Sequence, residues 1–438
     1  MEWTLALILL IGLLCLFMAT GMPVAFAFFG VNVIGAIVFL GGEAGLNQLA
    51  RNAMASITSF TLVPICLFLL MGEILFHTGV AFKAIDAIDK LISKVPGRLC
   101  LVSLVGGTVF SSLSGSTIAN TAILGSVLLP DMLKRGYHPS MAMGPIMATG
   151  GIAMLIPPSA LAVLLGSLAN ISIATLLIAA IIPGLIMSAL YVGYVMIRCF
   201  VNPSLAPAYD VQHISLWDRI RPFLIYVMPL FIIFIVVVGS IIYGIATPTE
   251  SAALGCVASI AVVALYRELR IKDLVVAFRE TVKVSVMILF IICASITFSQ
   301  ILAFSGATNG LLGSVNQFEL SPLTVLLIML LVLLFLGAFM DQVSMLMITV
   351  PFFIPLAKTQ GIDLPWLGVL MLLVMEVSFT TPPFGLLLYV MKGVAPRKTP
   401  IQQIYSAAMP FIILDLIAIV LLVIFPGLAT WLPSIMPR

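Results

Sequence analysis

The chain has 438 residues, of which 62% are hydrophobic and 8% charged, and its formal net charge is +3. Soluble domains carry about 25% charged residues, so this composition excludes a soluble multidomain protein, and the small net charge without any Lys/Arg run leaves no footprint for nucleic acid. The six cysteines (Cys15, Cys66, Cys100, Cys199, Cys256 and Cys293) are scattered without CxxC spacing, which argues against a disulfide framework or a thiolate metal site and leaves packing thiols.

Met1-Glu2-Trp3 lacks the basic region of a signal peptide and runs straight into apolar sequence, so a first spanning helix is expected rather than a cleaved leader. Apolar runs at 4–20, 23–40 and 60–78 predict three spans. Residues 80–96 place Phe82, Ile85, Ile88, Leu91, Ile92 and Val95 on one helical face and Lys83, Asp86, Asp89 and Lys90 on the other, the pattern of a helix lying in the membrane interface. An apolar stretch folded around a polar, small-residue middle follows at 101–133. Such a stretch suggests a re-entrant hairpin, because irregular backbone at membrane depth survives only under protein or beside a cavity. A long span broken at Pro157-Pro158 (140–168) and a closing span (172–198) complete the half, and hydrophilic residues 201–221 read as a linker.

The second half repeats the order: spans 222–245, 248–266 and 284–305 (preceded by an amphipathic 270–283), a hairpin at 320–357, a broken helix at 365–392 and a closing span at 407–428. Residues 20–30 and 115–166 recur without gaps 225 positions later, so that Pro23, Gly30, Pro130, Gly136 and Pro157-Pro158 reappear as Pro248, Gly255, Pro355, Gly361 and Pro382-Pro383. Paired breaks in two halves of a membrane protein point to a transporter's binding site. If the hairpins do not cross, each half crosses five times and the second half must be inverted. With the N-terminus outside, 17 of the 20 lysines and arginines fall on one side, and only Arg51, Lys358 and Arg438 on the other, as the positive-inside rule demands. The expected fold is an all-α polytopic membrane protein of two inverted-topology repeats, 1–200 and 222–438, each with a re-entrant helical hairpin and a Pro-broken helix.

The first hairpin's middle reads Ser111-Ser112-Leu113-Ser114-Gly115-Ser116-Thr117-Ile118-Ala119-Asn120-Thr121. Hydroxyls, an amide and freed carbonyls suit a small cation such as sodium, and close helix packing is the other use of such residues. The partner break runs from Thr149-Gly150-Gly151 to Ile156-Pro157-Pro158-Ser159, where prolines leave carbonyls unpaired. In the second half the hairpin middle is Gly337-Ala338-Phe339-Met340-Asp341-Gln342-Val343-Ser344, and the break is Glu376-Val377-Ser378-Phe379-Thr380-Thr381-Pro382-Pro383. Asp341 is an intramembrane carboxylate, with ion binding or a hydrogen bond to the hairpin backbone as its two readings. Glu250, in Thr247-Pro248-Thr249-Glu250, reads as a helix cap, and Glu73 and Asp415 as structural partners. Three scattered histidines supply no hydrolytic cluster, so no enzyme is expected, and no GxxxxGK[ST] loop for ATP occurs.

Ser112-Leu113-Ser114-Gly115-Ser116, Gly150-Gly151 with Ile156-Pro157-Pro158-Ser159, Thr247-Pro248-Thr249-Glu250 with Ala252-Ala253-Leu254-Gly255, and Thr381-Pro382-Pro383 together resemble the large membrane subunit of tripartite ATP-independent periplasmic (TRAP) transporters. That resemblance covers nearly the whole chain. It implies an ion-transporter-superfamily elevator fold and uptake of an organic acid anion driven by two or more sodium ions without ATP. It also implies a multi-pass location among the lipids of the bacterial inner membrane, with both termini periplasmic. The implied partners are a small four-helix membrane subunit on a separate chain and a periplasmic substrate-binding protein. Carried over residue by residue, a first sodium site falls on Ser114, Gly115, Ser116, Asn120, Thr149, Gly150 and Pro157, and a second on Gly337, Asp341, Thr380, Thr381 and Pro383. Substrate contacts are expected at Ser116, Thr117, Pro158, Ser159, Gln342 and Thr381. A stand-alone sodium- or proton-coupled anion carrier of the same superfamily is the alternative, and the identity of the organic acid is not readable.

Overall fold

A computed structural model of the chain describes residues 2–92, 95, 97–114, 117–207, 215–337, 340–382 and 385–436, with the side chains of all but 112–114 and 316. The regular structure among these residues is helical throughout, and seven helices are long and apolar enough to cross a membrane. One of the seven, Gln342–Thr359, is the second arm of the second hairpin, so length alone does not count crossings.

The first hairpin consists of Arg98–Ser114 and Thr117–Lys134, and its partner helix is broken into Pro139–Leu155 and Ala160–Ala169 around Pro157-Pro158. In the second half the arms are Pro322–Gly337 and Gln342–Thr359, and the broken helix is Leu364–Thr380 with Leu386–Val394. Thr117–Lys134 and Gln342–Thr359 share both bounds at the 225-residue offset, as do Pro139–Leu155 and Leu364–Thr380.

Each broken helix packs on both arms of its own hairpin, and the two broken helices pack on each other. Every residue from Met141 to Leu155 and from Leu367 to Thr380 is buried. A helix apolar on all sides belongs in a core, and these two form the centre of the molecule. A second apolar cluster stands apart. Leu10, Leu14, Phe28 and Val31 meet Ile291, Phe298 and Ile301, joining Trp3–Ala19 and Val24–Phe39 to the long helix Ile271–Phe304.

The amphipathic segment expected at 270–283 is no separate element. It is the first part of Ile271–Phe304, a continuous helix of 34 residues. Neither Gly nor Pro occurs within it to stop propagation, and at 1.5 Å per residue it spans about 51 Å, beyond the roughly 30 Å hydrocarbon layer. Likewise, the linker expected over 201–221 is already helical at Leu216–Pro222. That helix passes through a π-helical turn, Phe223–Val227, into Met228–Ile242. Pro222 and Pro229 lack the backbone N–H that regular α bonding requires, which favours such a slip in register.

The helix Val80–Leu91 does pack by one face, but the face is Val80, Ala81, Ala84, Ile85, Ala87 and Ile88, whereas Phe82 and Leu91 are exposed. Alanines allow close approach to the hairpin arm Arg98–Ser114, which the larger side chains would prevent. Its polar side is anchored by Arg98, whose Nε and Nη2 donate to the two oxygens of Asp89 at 2.8 and 2.5 Å, and by Lys83, whose Nζ lies 2.6 Å from Glu268 Oε1. Burial of Asp89 pushes its carboxyl above the usual aspartate range, and the Arg98 guanidinium draws it back in part. The short helix Glu43–Ile57 had no sequence forecast. Its Asn52 donates to Gln300 Oε1 at 2.6 Å and to Thr297 Oγ1 at 3.4 Å, fixing it to Ile271–Phe304.

Candidate functional site

At the first hairpin the two arms converge on the end of the first broken-helix segment. Ser111 Oγ donates to the Thr149 carbonyl at 2.8 Å, and Asn120 Nδ2 donates to the same carbonyl at 3.1 Å and to Ser111 Oγ. Thr149 Oγ1 donates to the Pro145 and Ile146 carbonyls at 3.2 and 3.0 Å, so both oxygens of this residue are engaged within the protein. Gly150 has no room for a side chain: a Cβ there would collide with Thr121 Oγ1 and come within 3.2 Å of the Thr117 carbonyl. Ser111, Asn120, Thr121 and Thr149 are all wholly buried. Yet Asn120 Oδ1 and Thr121 Oγ1 have no hydrogen-bond partner among the described residues. Buried, unpartnered neutral oxygens of this kind are what a hard cation accepts.

The structure therefore brings Asn120, Thr149 and Gly150 together, with Thr117 beside them. Pro157 and Pro158, joined by a cis peptide bond, are buried at the break. The backbone of Ser114 ends the first arm, and Gly115 and Ser116 lie outside the described residues. Sequence reasoning passed over Ser111 and Thr121 as site residues, although both stand in the polar hairpin middle; their roles depend on which helix end they face.

In the second half Gly337 ends the first arm directly against Ser378, whose side chain occupies the place a Cβ on Gly337 would take. Asp341 is the N-cap of the second arm. Its Oδ2 accepts from the backbone N–H groups of Val343 and Ser344 at 3.1 and 3.3 Å, and Ser344 Oγ donates to Oδ1. This is the backbone-bonded reading of Asp341, and its carboxylate faces the positive end of the helix. Thr380 and Thr381 donate their hydroxyls to the Val377 carbonyl at 3.1 and 2.5 Å, and Pro383 lies outside the described residues.

Of the residues expected to touch substrate, Thr117 and Pro158 are buried, Thr381 is half-buried, and Ser116 lies outside the described residues. Ser159 is buried and caps Ala160–Ala169 by accepting from the Ala162 N–H, and Gln342 Nε2 rests against Met154 Sδ at 2.9 Å. A polar cavity of about 460 Å³ opens elsewhere, between the long helix (Ser295, Ser299, Gln300) and the far end of the first broken helix (Ser167, Asn170). Its volume is that of a small-molecule pocket. Glu250 and Thr247 form the expected capping box, and Glu73 pairs with His77 at 3.1 Å.

Residues 11–428 match the family described as "Tripartite ATP-independent periplasmic transporter, DctM component". The chain belongs to this family. It is a multi-pass membrane protein of the TRAP transporters, and its relatives are transporter permeases rather than enzymes. It is 29% identical over 399 residues to the C4-dicarboxylate TRAP transporter large permease protein DctM of Pseudomonas aeruginosa, covering 91% of this chain and 92% of that one. It is 28% identical to the sialic acid TRAP transporter large permease protein SiaM of Vibrio cholerae (95% of each chain) and 28% identical to the ectoine TRAP transporter large permease protein TeaC of Halomonas elongata (97% of each). In fold it is similar to the crystal structure of the Alcanivorax borkumensis YdaH transporter, with a TM-score of 0.64 over 91% of each chain at 15% sequence identity.

Proposed function

We propose that this TRAP subunit is the large transmembrane component of a sodium-coupled importer of an organic acid anion in the bacterial inner membrane. It would work with a separate small membrane subunit and a periplasmic substrate-binding protein. The observation that carries the coupling is the pair of buried, unpartnered oxygens, Asn120 Oδ1 and Thr121 Oγ1, on the hairpin arm that packs against Gly150. Bound there, sodium would supply the positive charge that links the gradient to substrate movement. The protein's part is to hold the neutral oxygens in place through the Ser111–Asn120–Thr149 bonds. In the second half, Gly337, Asp341, Thr380, Thr381 and Pro383 are the candidates for a second sodium.

An elevator motion is the movement this reading adopts. It is supported by the apolar cluster that holds the first two helices on Ile271–Phe304, and by the cavity between that long helix and the first broken helix. The cargo stays a class. Relatives at almost the same identity carry names of a dicarboxylate, a sialic acid and ectoine permease, so overall similarity does not select among them.

In proteoliposomes holding the chain with its small subunit and binding protein, an inward sodium gradient should drive uptake without ATP. Equal uptake from potassium medium would reject sodium coupling. Uptake that persists when the binding protein is omitted would reassign the chain as a stand-alone carrier.

A further inference from the structure

Glu376 lies within the second broken helix, Leu364–Thr380, and is wholly buried. Neither of its carboxylate oxygens receives a hydrogen bond from any described residue. The carboxyl rests on Gly151 of the first broken helix, so closely that a Cβ at that glycine would overlap both oxygens and the carboxyl carbon. Glu376 therefore sits in the contact between the two broken helices, Leu364–Thr380 and Pro139–Leu155.

Among the described residues no opposite charge nearby balances it. The helices Pro139–Leu155, Ala160–Ala169, Ile173–Ala179, Pro322–Gly337 and Gly427–Ser434 pack on this helix and contain no Asp, Glu, Lys, Arg or His. The group in electrostatic reach is a second carboxyl, Asp415 of Ile401–Ile424, with Tyr191 bonded behind it. The remaining groups on neighbouring helices are held elsewhere. Asp341 and Asp363 cap helix N-termini, Lys358 and Lys392 sit in last turns, and Tyr389 pairs with Tyr405. An ionised carboxylate in an apolar interior with neither cation nor donor takes up a proton instead. A metal ion needs several oxygens around it, whereas a proton needs one, and the surface against this carboxyl is the backbone of a glycine.

We infer that Glu376 is a proton-binding site of the transport core. It is neutral while this contact is buried, so any opening of the contact to water is linked to release of that proton. On binding, an O–H bond forms at one carboxylate oxygen with a proton from bulk water; on opening that bond breaks and the proton returns to water. The proton-binding step stands without the transport reading, which it extends, so the two can fail separately.

Infrared difference spectroscopy of the chain in lipid vesicles at neutral pH tests it. A protonated-carboxyl C=O stretch should appear in the wild type and in Asp415→Asn and vanish in Glu376→Gln; Glu376→Asp, with a displaced band, serves if the glutamine variant does not fold. Identical wild-type and Glu376→Gln spectra would overturn the proposal. So would a band that disappears when sodium chloride replaces choline chloride, since the carboxyl would then hold a metal cation. In the reconstituted transporter, Glu376→Gln should flatten the pH profile of uptake while keeping its sodium dependence, and an unchanged pH profile would overturn the coupling.

Discussion

The hydroxyl of Tyr191 donates a hydrogen bond to Oδ1 of Asp415, and both side chains are buried to within 1% of full enclosure. The bond ties Ile181–Val201, which closes the first half, to Ile401–Ile424, which closes the second. Phe411 packs edge-on against the Tyr191 ring at 5.4 Å. Removing the hydroxyl strands a carboxyl at membrane depth. Tyr191→Phe should therefore cost about 1–3 kcal/mol, read as a lowered thermal midpoint in detergent. Asp415→Leu in the Phe background should recover most of it, because removing both partners together is far milder than removing one. Strictly additive losses would show that the bond carries no stability.

Gly337 is the close-contact point of the second hairpin. Gly337→Ala drives a methyl group into the Ser378 side chain, and overpacking of this kind costs about 1–3 kcal/mol. The hairpin should lift from the broken helix, with sodium-dependent uptake falling more than expression. Ser378→Gly in the same chain should restore uptake. Failure of that rescue would place the defect elsewhere than this contact.

Asp341 separates charge from capping. Asn caps helices nearly as well as Asp, while Ala at an N-cap costs about 0.5–2 kcal/mol. Asp341→Asn should leave the thermal midpoint near wild type and weaken the sodium dependence of uptake, whereas Asp341→Ala should lower both. If Asn keeps full sodium dependence, the carboxylate serves only as the cap of Gln342–Thr359.

The Lys83–Glu268 pair braces Val80–Leu91 to the segment after Pro248–Leu265. The Lys83 hydrogen bond, aided by its charge, holds the Glu268 carboxyl below the usual glutamate range. A folded-state value below the unfolded one contributes stability at pH above the unfolded value and loses it as pH falls through the folded value. Glu268→Gln should thus lower the thermal midpoint at neutral pH, and the difference should close on acidification through the glutamate range. A difference that grows in acid would reverse the sign and refute the assignment.

The inverted arrangement expected from the lysine and arginine distribution makes a topological prediction. Single cysteines at Asn309 and Asp218, both exposed, in a cysteine-free background should label from opposite faces of oriented vesicles with a membrane-impermeant thiol reagent. Labelling from the same face would require a simple duplication in place of an inverted repeat.

Membrane embedding and helical class followed from composition and run length, because the bilayer sets span length and demands internally bonded backbone. The breaks at Pro157 and Pro382 were legible for a local reason, since prolines cannot donate to the helix ladder, although the helices run on through Thr149 and Glu376, where the breaks were expected to begin, to Leu155 and Thr380. Thr247 and Glu250 were equally legible, since a capping box is written in four consecutive residues. Where the signal was only periodic it misled. The pattern at 270–283 marked a polar face but held nothing to say whether the helix stops, and it continues to Phe304.

Contacts between distant segments were decided by the tertiary structure alone. Glu376 on Gly151, Tyr191 with Asp415 and Asn52 with Gln300 each join residues more than 220 positions apart. Local propensity carries no information about which helix will stand opposite, or about which of the many buried hydroxyls and carboxyls will be left unpartnered. The resemblance marked Asn120, but Thr121 looked no different in sequence from the other polar residues of its hairpin. Packing against Thr149 and Gly150 engages Asn120 Nδ2 and leaves two oxygens free, and that distinction exists only once the two halves of the first repeat are folded together.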